Sequence, residues 1–352
     1  MRGFGMQIKP AGNNCNLRCK YCYAAPFANP KIKIMPLDIL EIAIRKNLSF
    51  QKNVFFSWHG GEPLMAGIDF YKSAVKYMNK YKASNHSITN MLQTNATLVT
   101  SEFAQFFKDN NFTVSVSIDG PEVIHDLNRV DFYNKGSFKR VMCGVKILRD
   151  AGLQPPVIAT VTQSSLQYAK DIFNFLVDNG FTDIKFSPVY DSSSDSFSVD
   201  SEKWFLYLKN VLYAWFERGN NDIKVREIDE VIAWLSNKTI NMCSSNQACL
   251  NWISIDPDGN VYPCEYLRSE MPYGNIQEID LKDIYKTASY LRFKKLFLHQ
   301  PEKCKICKFW SVCKNGCPAT RVQDDILTHD GIYVYCNERI ALYEELKRIL
   351  DS

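Results

Sequence analysis

Eleven of the twelve cysteines fall into two groups, and any fold for this chain must gather each group in space. Cys15, Cys19 and Cys22 form a triplet near the start; Cys243, Cys249, Cys264, Cys304, Cys307, Cys313, Cys317 and Cys336 form an octet in the last third. Eight thiolates can close two four-cysteine sites completely, whereas three can hold a four-iron cluster only by leaving one iron to a ligand that is not protein. The triplet, CNLRCKYC, wraps one short loop around a single metal core. A zinc ion there would want a fourth protein ligand, and only His59 or His125, distant in sequence, could supply it. CKIC with CKNGC also reads as a zinc ribbon. Cys143 is left over, and reads as a packing residue on the flank of a helical stripe.

The rest of the chain is that of an ordinary globular protein: 352 residues, 46% apolar, net charge +4. No block of five like charges calls for a nucleic-acid or membrane partner, and no run approaches the roughly 18 apolar residues of a membrane span. The start, MRGFGMQIKP, lacks the apolar core of a signal peptide, so a cytoplasmic protein is expected. In that reducing compartment, short CxxC spacings mean metal or redox chemistry rather than disulfides, and iron clusters point to an anaerobic setting.

Apolar, β-rich segments recur at Met6 to Pro10, Val54 to Trp58, Ile88 to Gln93, Thr113 to Ile118, Val157 to Thr162 and Ile184 to Val189, with helical patterns between them. One such helix carries Phe138, Val141, Met142, Val145 and Leu148 as a stripe, and a parallel α/β architecture follows. A serine-rich loop, Asp191 to Asp200, leads into a long helix around Trp204 to Phe216, and a boundary falls near Ile223. Beyond it, WISIDPDGNVYPC reads as a hairpin turning at Asp258 and Gly259, and Glu338 to Leu350 as a final amphipathic helix.

Each polar cluster of the first part follows a predicted strand: Cys15 to Cys22, His59 to Pro63, Thr94 to Thr97, and Asp119 to Pro121. In a barrel of parallel strands such loops open on one face, where catalytic groups collect. Taken singly, Gly60, Gly61 and Pro63 could be plain turn formers, and Asp119 with Gly120 a plain strand end.

On these residues the chain resembles the radical S-adenosylmethionine superfamily, whose CxxxCxxC signature is matched by Cys15, Cys19 and Cys22 with the aromatic Tyr21 in place. The resemblance implies a partial (β/α)6, TIM-like barrel over residues 1–222. There S-adenosylmethionine chelates the open iron of a [4Fe–4S] cluster and is cleaved to a radical that abstracts hydrogen. Gly60, Gly61, Glu62 and Pro63 match the loop that receives the methionine amino group, with Glu62 supplying a charge for the ammonium. Ser117, Asp119 and Arg129 would line the cofactor. Cys249, nine residues, Gly259, four residues, Cys264, and then Cys304, Cys307, Cys313, Cys317 and Cys336 match the SPASM extension. That extension, a β-hairpin plus helices over residues 223–352, implies two auxiliary [4Fe–4S] clusters. By the family's interleaved ligation, Cys243, Cys249, Cys264 and Cys317 hold one and Cys304, Cys307, Cys313 and Cys336 the other. Neither keeps an open iron, so an electron-transfer or structural role is expected. The implied partners are a peptide or protein substrate and an external low-potential electron donor of the flavodoxin or ferredoxin type.

Two groups of peptide modifiers share this pattern: crosslinking enzymes of ribosomally made peptides, and anaerobic sulfatase maturases that turn a Cys or Ser into formylglycine. Both abstract hydrogen from a side chain and end in a two-electron oxidation. His59 stands where the maturases have glutamine and Glu265 where they have aspartate, so the expected reaction is a crosslink, a carbon–carbon cyclophane or a thioether, with formylglycine formation as the alternative. The first strand begins almost at Met6, leaving no precursor-recognition domain before it, which weighs against crosslinking. Glu265 is the candidate base and His59 a candidate donor to substrate or cofactor, against plain readings as a solvated hairpin residue and a satisfied loop residue. A non-enzymatic metal-binding or electron-transfer protein would keep the cysteines but has no need of GGEP and SIDGP.

Overall fold

The computed structural model describes residues 4–25, 28, 34–190, 196–220, 222–238, 242–243, 245, 248–267, 270–323, 326–327 and 331–350. The stretch Asp191 to Asp195 of the serine-rich loop lies outside the described residues. In chain order the strands are β1 (Gly5–Ile8), β2 (Asn53–Trp58), β3 (Ser87–Thr94), β4 (Phe112–Ser117), β5 (Val157–Val161), β6 (Asp183–Pro188) and β7 (Lys224–Val225). They continue with β8 (Trp252–Ile255), β9 (Asn260–Tyr262), β10 (Gly274–Asn275), β11 (Arg321–Gln323), β12 (Ile326–Leu327) and β13 (Ile332–Tyr333). The chain divides into two compact units, each discontinuous in sequence.

The first unit takes residues 1–117, 126–155 and 250–293. Its strands run in the order β10, β9, β8, β1, β2, β3, β4, and β8, β1, β2, β3 and β4 pair in parallel. The expected hairpin is present: β8 and β9 pair antiparallel, Ser254 opposite Tyr262, with Gly259 at φ +84° in the turn. β8 also lies parallel to β1, a pairing that places the turn's chemistry beside the first loop. Parallel strands need crossovers, and the helices 37–50, 68–81 and 101–109 supply them. In the first, Ile39, Leu40, Ala43, Ile44 and Leu48 are buried at helical spacing. Thr100 caps the third, its Oγ1 accepting from Phe103 N at 3.3 Å. Trp58, Tyr71, Phe107 and Phe112 form the aromatic centre of the core, and the Trp58 indole donates to Asn90 Oδ1 at 3.1 Å.

The helix 138–150 buries Val141, Val145 and Leu148 of its expected stripe and leaves Phe138 and Met142 half-buried. Cys143, expected to pack, is exposed: two positions beyond Val141 it has turned off the buried stripe.

The second unit takes residues 118–125, 156–249 and 294–352. β5, β6 and β7 pair in parallel, and β12, β11 and β13 form a small antiparallel sheet. The helix 201–218 starts where Asp200 Oδ1 accepts from Lys203 N at 2.8 Å and ends at Gly219 in the left-handed region, as sequence caps should. Trp234, Phe309 and Tyr343 pack together, joining the helices 226–235 and 336–350 to the cysteine segment. Arg321 is fully buried, and its guanidinium donates to the carbonyls of Asn315 at 3.0 Å and Leu296 at 2.7 Å. A buried charge with its donors so spent is a structural brace.

Candidate functional site

In the first unit, the carboxyl ends of three neighbouring strands deliver three loops to one place. After β1 comes the loop to Cys22, after β2 His59 to Pro63, after β3 Asn95 to Thr97. Backbone bonds stitch the first two together: Gly61 N donates to Gly12 O and Glu62 N to Asn14 O, both at 2.8 Å. This approach is why Gly60 and Gly61 are glycines. A Cβ on Gly60, already at φ +118°, would stand 2.3 Å from Gly12 O, and one on Gly61 would stand 1.9 Å from Asn14 O. Pro63 then opens a short 3₁₀ turn.

Glu62 has no exposure and closes the second loop onto the third. Its Oε1 accepts from Leu64 N at 2.9 Å and Thr94 Oγ1 at 2.8 Å, and its Oε2 from Asn95 N at 2.7 Å. Burial pushes this carboxyl up from its ordinary 4.5 to about 7, against the pull of those donors. Asn95 carries the chain of contacts to the cysteines: its Nδ2 donates to Asn16 Oδ1 at 2.9 Å and reaches Cys15 Sγ at 3.6 Å. Leu17 N also donates to Cys15 Sγ, at 3.3 Å. Burial, then the Glu62 carboxylate, then Cys19 and Cys22 push the Cys15 thiol up to about 12. A thiol held so high ionises only around a strong cation, and the amide donors on Cys15 suit a cluster-bound sulfur. The triplet therefore fits an iron–sulfur cluster. Among the described residues no three His, Cys, Asp or Glu side chains converge as they would on a single metal ion. Sulfurs spread around a cube need not.

Arg18 N donates to Val130 O at 2.7 Å and Lys20 N to Asn128 O at 2.9 Å, which brings Arg129 to the loop. Its buried guanidinium lies over the Tyr21 ring, 5.6 Å from the centroid. Ser117 Oγ accepts from Gln93 Nε2 at 2.9 Å. His59 is half-buried, and its Nδ1 accepts from Gly60 N at 2.7 Å, so a neutral imidazole presents its proton on Nε2. In the second unit Asp119 Oδ1 accepts from Thr160 N at 2.9 Å, and the Asp119 N–H donates to Nδ1 of the buried His125 at 3.3 Å.

Glu265 is not a solvated hairpin residue. Following β9, it meets the loop that follows β1: Asn13 Nδ2 donates to its Oε1 at 2.8 Å and the Lys9 ammonium pairs with its Oε2. Lys9, 1% exposed, also stands 3.1 Å from Asp256 Oδ1, and the Tyr262 hydroxyl donates to the same carboxylate. Next door, the rings of Tyr23 and Tyr266 stack at 4.8 Å. Lys9, Asn13 and Asp256 belong to no motif and escaped the sequence reading, and Asn95 was marked only as part of the Thr94 to Thr97 cluster. The signal that could have found them is position, since each lies just past the carboxyl end of a strand or in the loop that leaves one.

In the second unit Cys304, Cys307, Cys313 and Cys336 line one cavity of about 250 Å³, walled by Phe309, Trp310, Tyr333, Ile340 and Tyr343. Burial, with Cys336, Cys313 and Cys307 nearby, pushes the Cys304 thiol up to about 11. Four thiols around one partly open, mostly apolar space fit a cluster with every iron ligated by protein. Cys249 Sγ donates to Cys243 O at 3.0 Å, and Cys317 is raised by burial and by Cys243. These three come together as the expected ligand set requires; Cys264, the fourth, follows β9 in the first unit.

Comparison with known proteins agrees with this chemistry. Residues 10–168 match the radical SAM superfamily and residues 243–308 the SPASM iron–sulfur cluster-binding domain. A cysteine-type anaerobic sulfatase-maturating enzyme of Clostridium novyi is 31% identical over 90% of this chain and 88% of its own length. The serine-type enzyme of Bacteroides thetaiotaomicron is 29% identical over 98% of this chain and 90% of its own. The solved structure of native anSMEcpe with bound AdoMet and Cp18Cys peptide superposes with a TM-score of 0.89 at 27% identity, covering 99% of both chains. The fold is thus the α/β fold of that superfamily, a partial rather than closed barrel with a mixed sheet, followed by a SPASM region.

Proposed function

Because the chain belongs to the radical S-adenosylmethionine superfamily, in the SPASM-bearing group that includes the anaerobic sulfatase-maturating enzymes, we propose that it oxidises a cysteine or serine side chain of a client protein to formylglycine. It is an enzyme acting on peptide or protein, with three [4Fe–4S] clusters and S-adenosylmethionine as cofactors. The observation that carries the reading is likeness along the whole chain to both cysteine-type and serine-type maturases. It displaces crosslinking as the leading expectation, because the full-length relatives do the other chemistry. His59 and Glu265, which depart from the maturase residues, are what still favours a crosslink.

When bound, the cluster and S-adenosylmethionine supply a 5'-deoxyadenosyl radical that takes one hydrogen atom. The chain's own groups do the rest. We assign Gly60, Gly61 and Glu62 to shaping the wall that faces the methionine end, with Glu62 locking that wall to Asn95. Tyr21, Ser117, Asp119 and Arg129 are assigned to the cofactor, and His59 Nε2 to donating toward substrate or cofactor. Pro63 fixes the turn after them. Loss of a hydrogen atom from the client's Cβ leaves one electron and one proton still to go. Glu265, held in place by Lys9 and Asn13, accepts that proton from the thiol or hydroxyl, and an auxiliary cluster held by the later cysteines would take the electron; serine then stands as the aldehyde, whereas cysteine stands as a thioaldehyde that water converts to the aldehyde with release of hydrogen sulfide. We place the division of roles at 222/223, with S-adenosylmethionine cleavage before it and the auxiliary clusters after.

The test is anaerobic turnover with S-adenosylmethionine, reductant and two peptides carrying either Cys or Ser in a sulfatase-like context, read by mass spectrometry. A residue converted to an aldehyde that forms a hydrazone supports the proposal. A hydrogen pair lost with a new linkage between residues rejects it in favour of crosslinking. In the same assay Glu265→Gln should slow aldehyde formation by ~10²-fold or more while 5'-deoxyadenosine still forms.

A further inference from the structure

The segment that the cysteine loop leans on also presents the most conspicuous exposed surface of the first unit. Phe132 is 61% and Tyr133 83% exposed, although residues of this size normally bury. They are not on a loose loop. Val130 and Gly136 bridge across a tight turn, and Asp131 Oδ1 accepts from Tyr133 N at 2.9 Å and Lys135 N at 3.0 Å. Asp126 Oδ1 accepts from Ser137 N at 2.8 Å and Phe138 N at 2.9 Å, so close to Gly136 that a Cβ there would stand 2.0 Å from Asp126 Oδ2. The chain thus fixes a turn firmly and offers two aromatic rings to solvent. A preorganised aromatic pair is typical of an interface anchor.

Within this segment and the cysteine loop, residues 126–140 and 15–22, the exposed charged side chains are all basic. Arg18, Lys20, Lys135, Lys139 and Arg140 are exposed, and the Arg18 guanidinium lies 6.0 Å from the Phe132 ring centroid. The two acids of the segment turn inward, Asp126 to backbone N–H groups and Asp131 to backbone and Arg140, 3.2 Å away. What remains outward is a basic rim around an aromatic centre. Its place is decisive, because Arg18 and Lys20 sit between Cys15 and Cys22 and their N–H groups bond this same segment. Electron tunnelling weakens steeply with distance, so a protein that delivers electrons to the triplet must dock close to that loop.

We propose that the Phe132–Tyr133 turn, with Arg18, Lys20, Lys135 and Lys139, is the docking surface for an acidic one-electron carrier protein. The carrier loses one electron and the centre held by Cys15, Cys19 and Cys22 gains it. The inference rests on the family assignment of the triplet and is independent of which client side chain is oxidised.

The test measures binding, not only turnover. Oxidised flavodoxin, an acidic flavin protein, is titrated calorimetrically into the cluster-loaded enzyme at low and moderate salt. Binding should weaken by roughly tenfold or more as salt rises, and by a similar factor in Lys135→Glu/Lys139→Glu and in Phe132→Ser/Tyr133→Ser. Iron content, and 5'-deoxyadenosine formation driven by dithionite, should be unchanged in both variants. The proposal is overturned if the variants bind flavodoxin like the parent, or if affinity for the client peptide falls instead. It is equally overturned if dithionite-driven turnover falls in step with binding, which would put the turn in the catalytic machinery.

Discussion

The two cysteine regions solve opposite problems. Around Cys15, in the loop of Cys15, Cys19 and Cys22, the neighbours are polar and come from several strand ends: Asn16, Asn95 and Glu62, with the carbonyls of Gly12 and Asn14 held by the N–H groups of Gly61 and Glu62. Around Cys304, Cys307, Cys313 and Cys336 the wall is mostly aromatic and aliphatic, with Lys303, Lys308, Asn315 and Arg339 also on it. A polar frame with three sulfurs suits something that arrives and leaves; a mostly apolar lining with four suits a group that stays. Polarity of the surroundings, rather than the number of cysteines alone, distinguishes the two sites.

The comparison is broken most directly by removing sulfurs. Replacing Cys15, Cys19 and Cys22 by alanine should cost about four iron atoms and all 5'-deoxyadenosine while moving the unfolding midpoint little. Cys304→Ala with Cys313→Ala should cost a similar amount of iron and lower the midpoint clearly, because the cluster is the filling of its cavity. Iron analysis and thermal unfolding under anaerobic conditions decide; equal midpoints for the two sets contradict the contrast. A smaller effect tests the polar frame. Lys9→Met leaves Asp256 and Glu265 as buried carboxylates without their ammonium, and should cost ~3–5 kcal/mol in denaturant unfolding. Lys9→Arg should recover part of it.

The smallest expected effect concerns Glu62. Its carboxyl is raised in the fold, so the folded state binds the proton more tightly than the unfolded state does. Its contribution is therefore most favourable at low pH and is lost as pH rises from 4.5 to about 7. Glu62→Gln should flatten that part of the stability profile, by about 3 kcal/mol at most, and leave the profile above pH 7 parallel to the parent's.

Much of this was legible beforehand, for local reasons. The six expected strands are present with ends shifted by a residue or two; Lys9 and Pro10, for instance, lie beyond β1. Period-two and helical patterns are written in consecutive residues, and the cysteine spacings reflect short loops that must wrap a cluster. The pairing of β8 with β1 was not legible, because a hairpin sequence specifies its own turn but not the edge it joins. The Lys9, Asp256 and Glu265 group was hidden for the same reason: Lys9 stands more than two hundred residues before the two carboxylates and meets them through that pairing. Cys143 was misjudged because burial on a helix changes within two positions.

That pairing also bears on how the chain is made. Until residues near Trp252 leave the ribosome, β1 has β2 on one side and an open row of backbone donors and acceptors on the other. Such a bare edge is a template for misassembly. The N-terminal sheet cannot mature on its own schedule, and a nascent chain stalled before its last hundred residues would carry an unfinished, aggregation-prone rim.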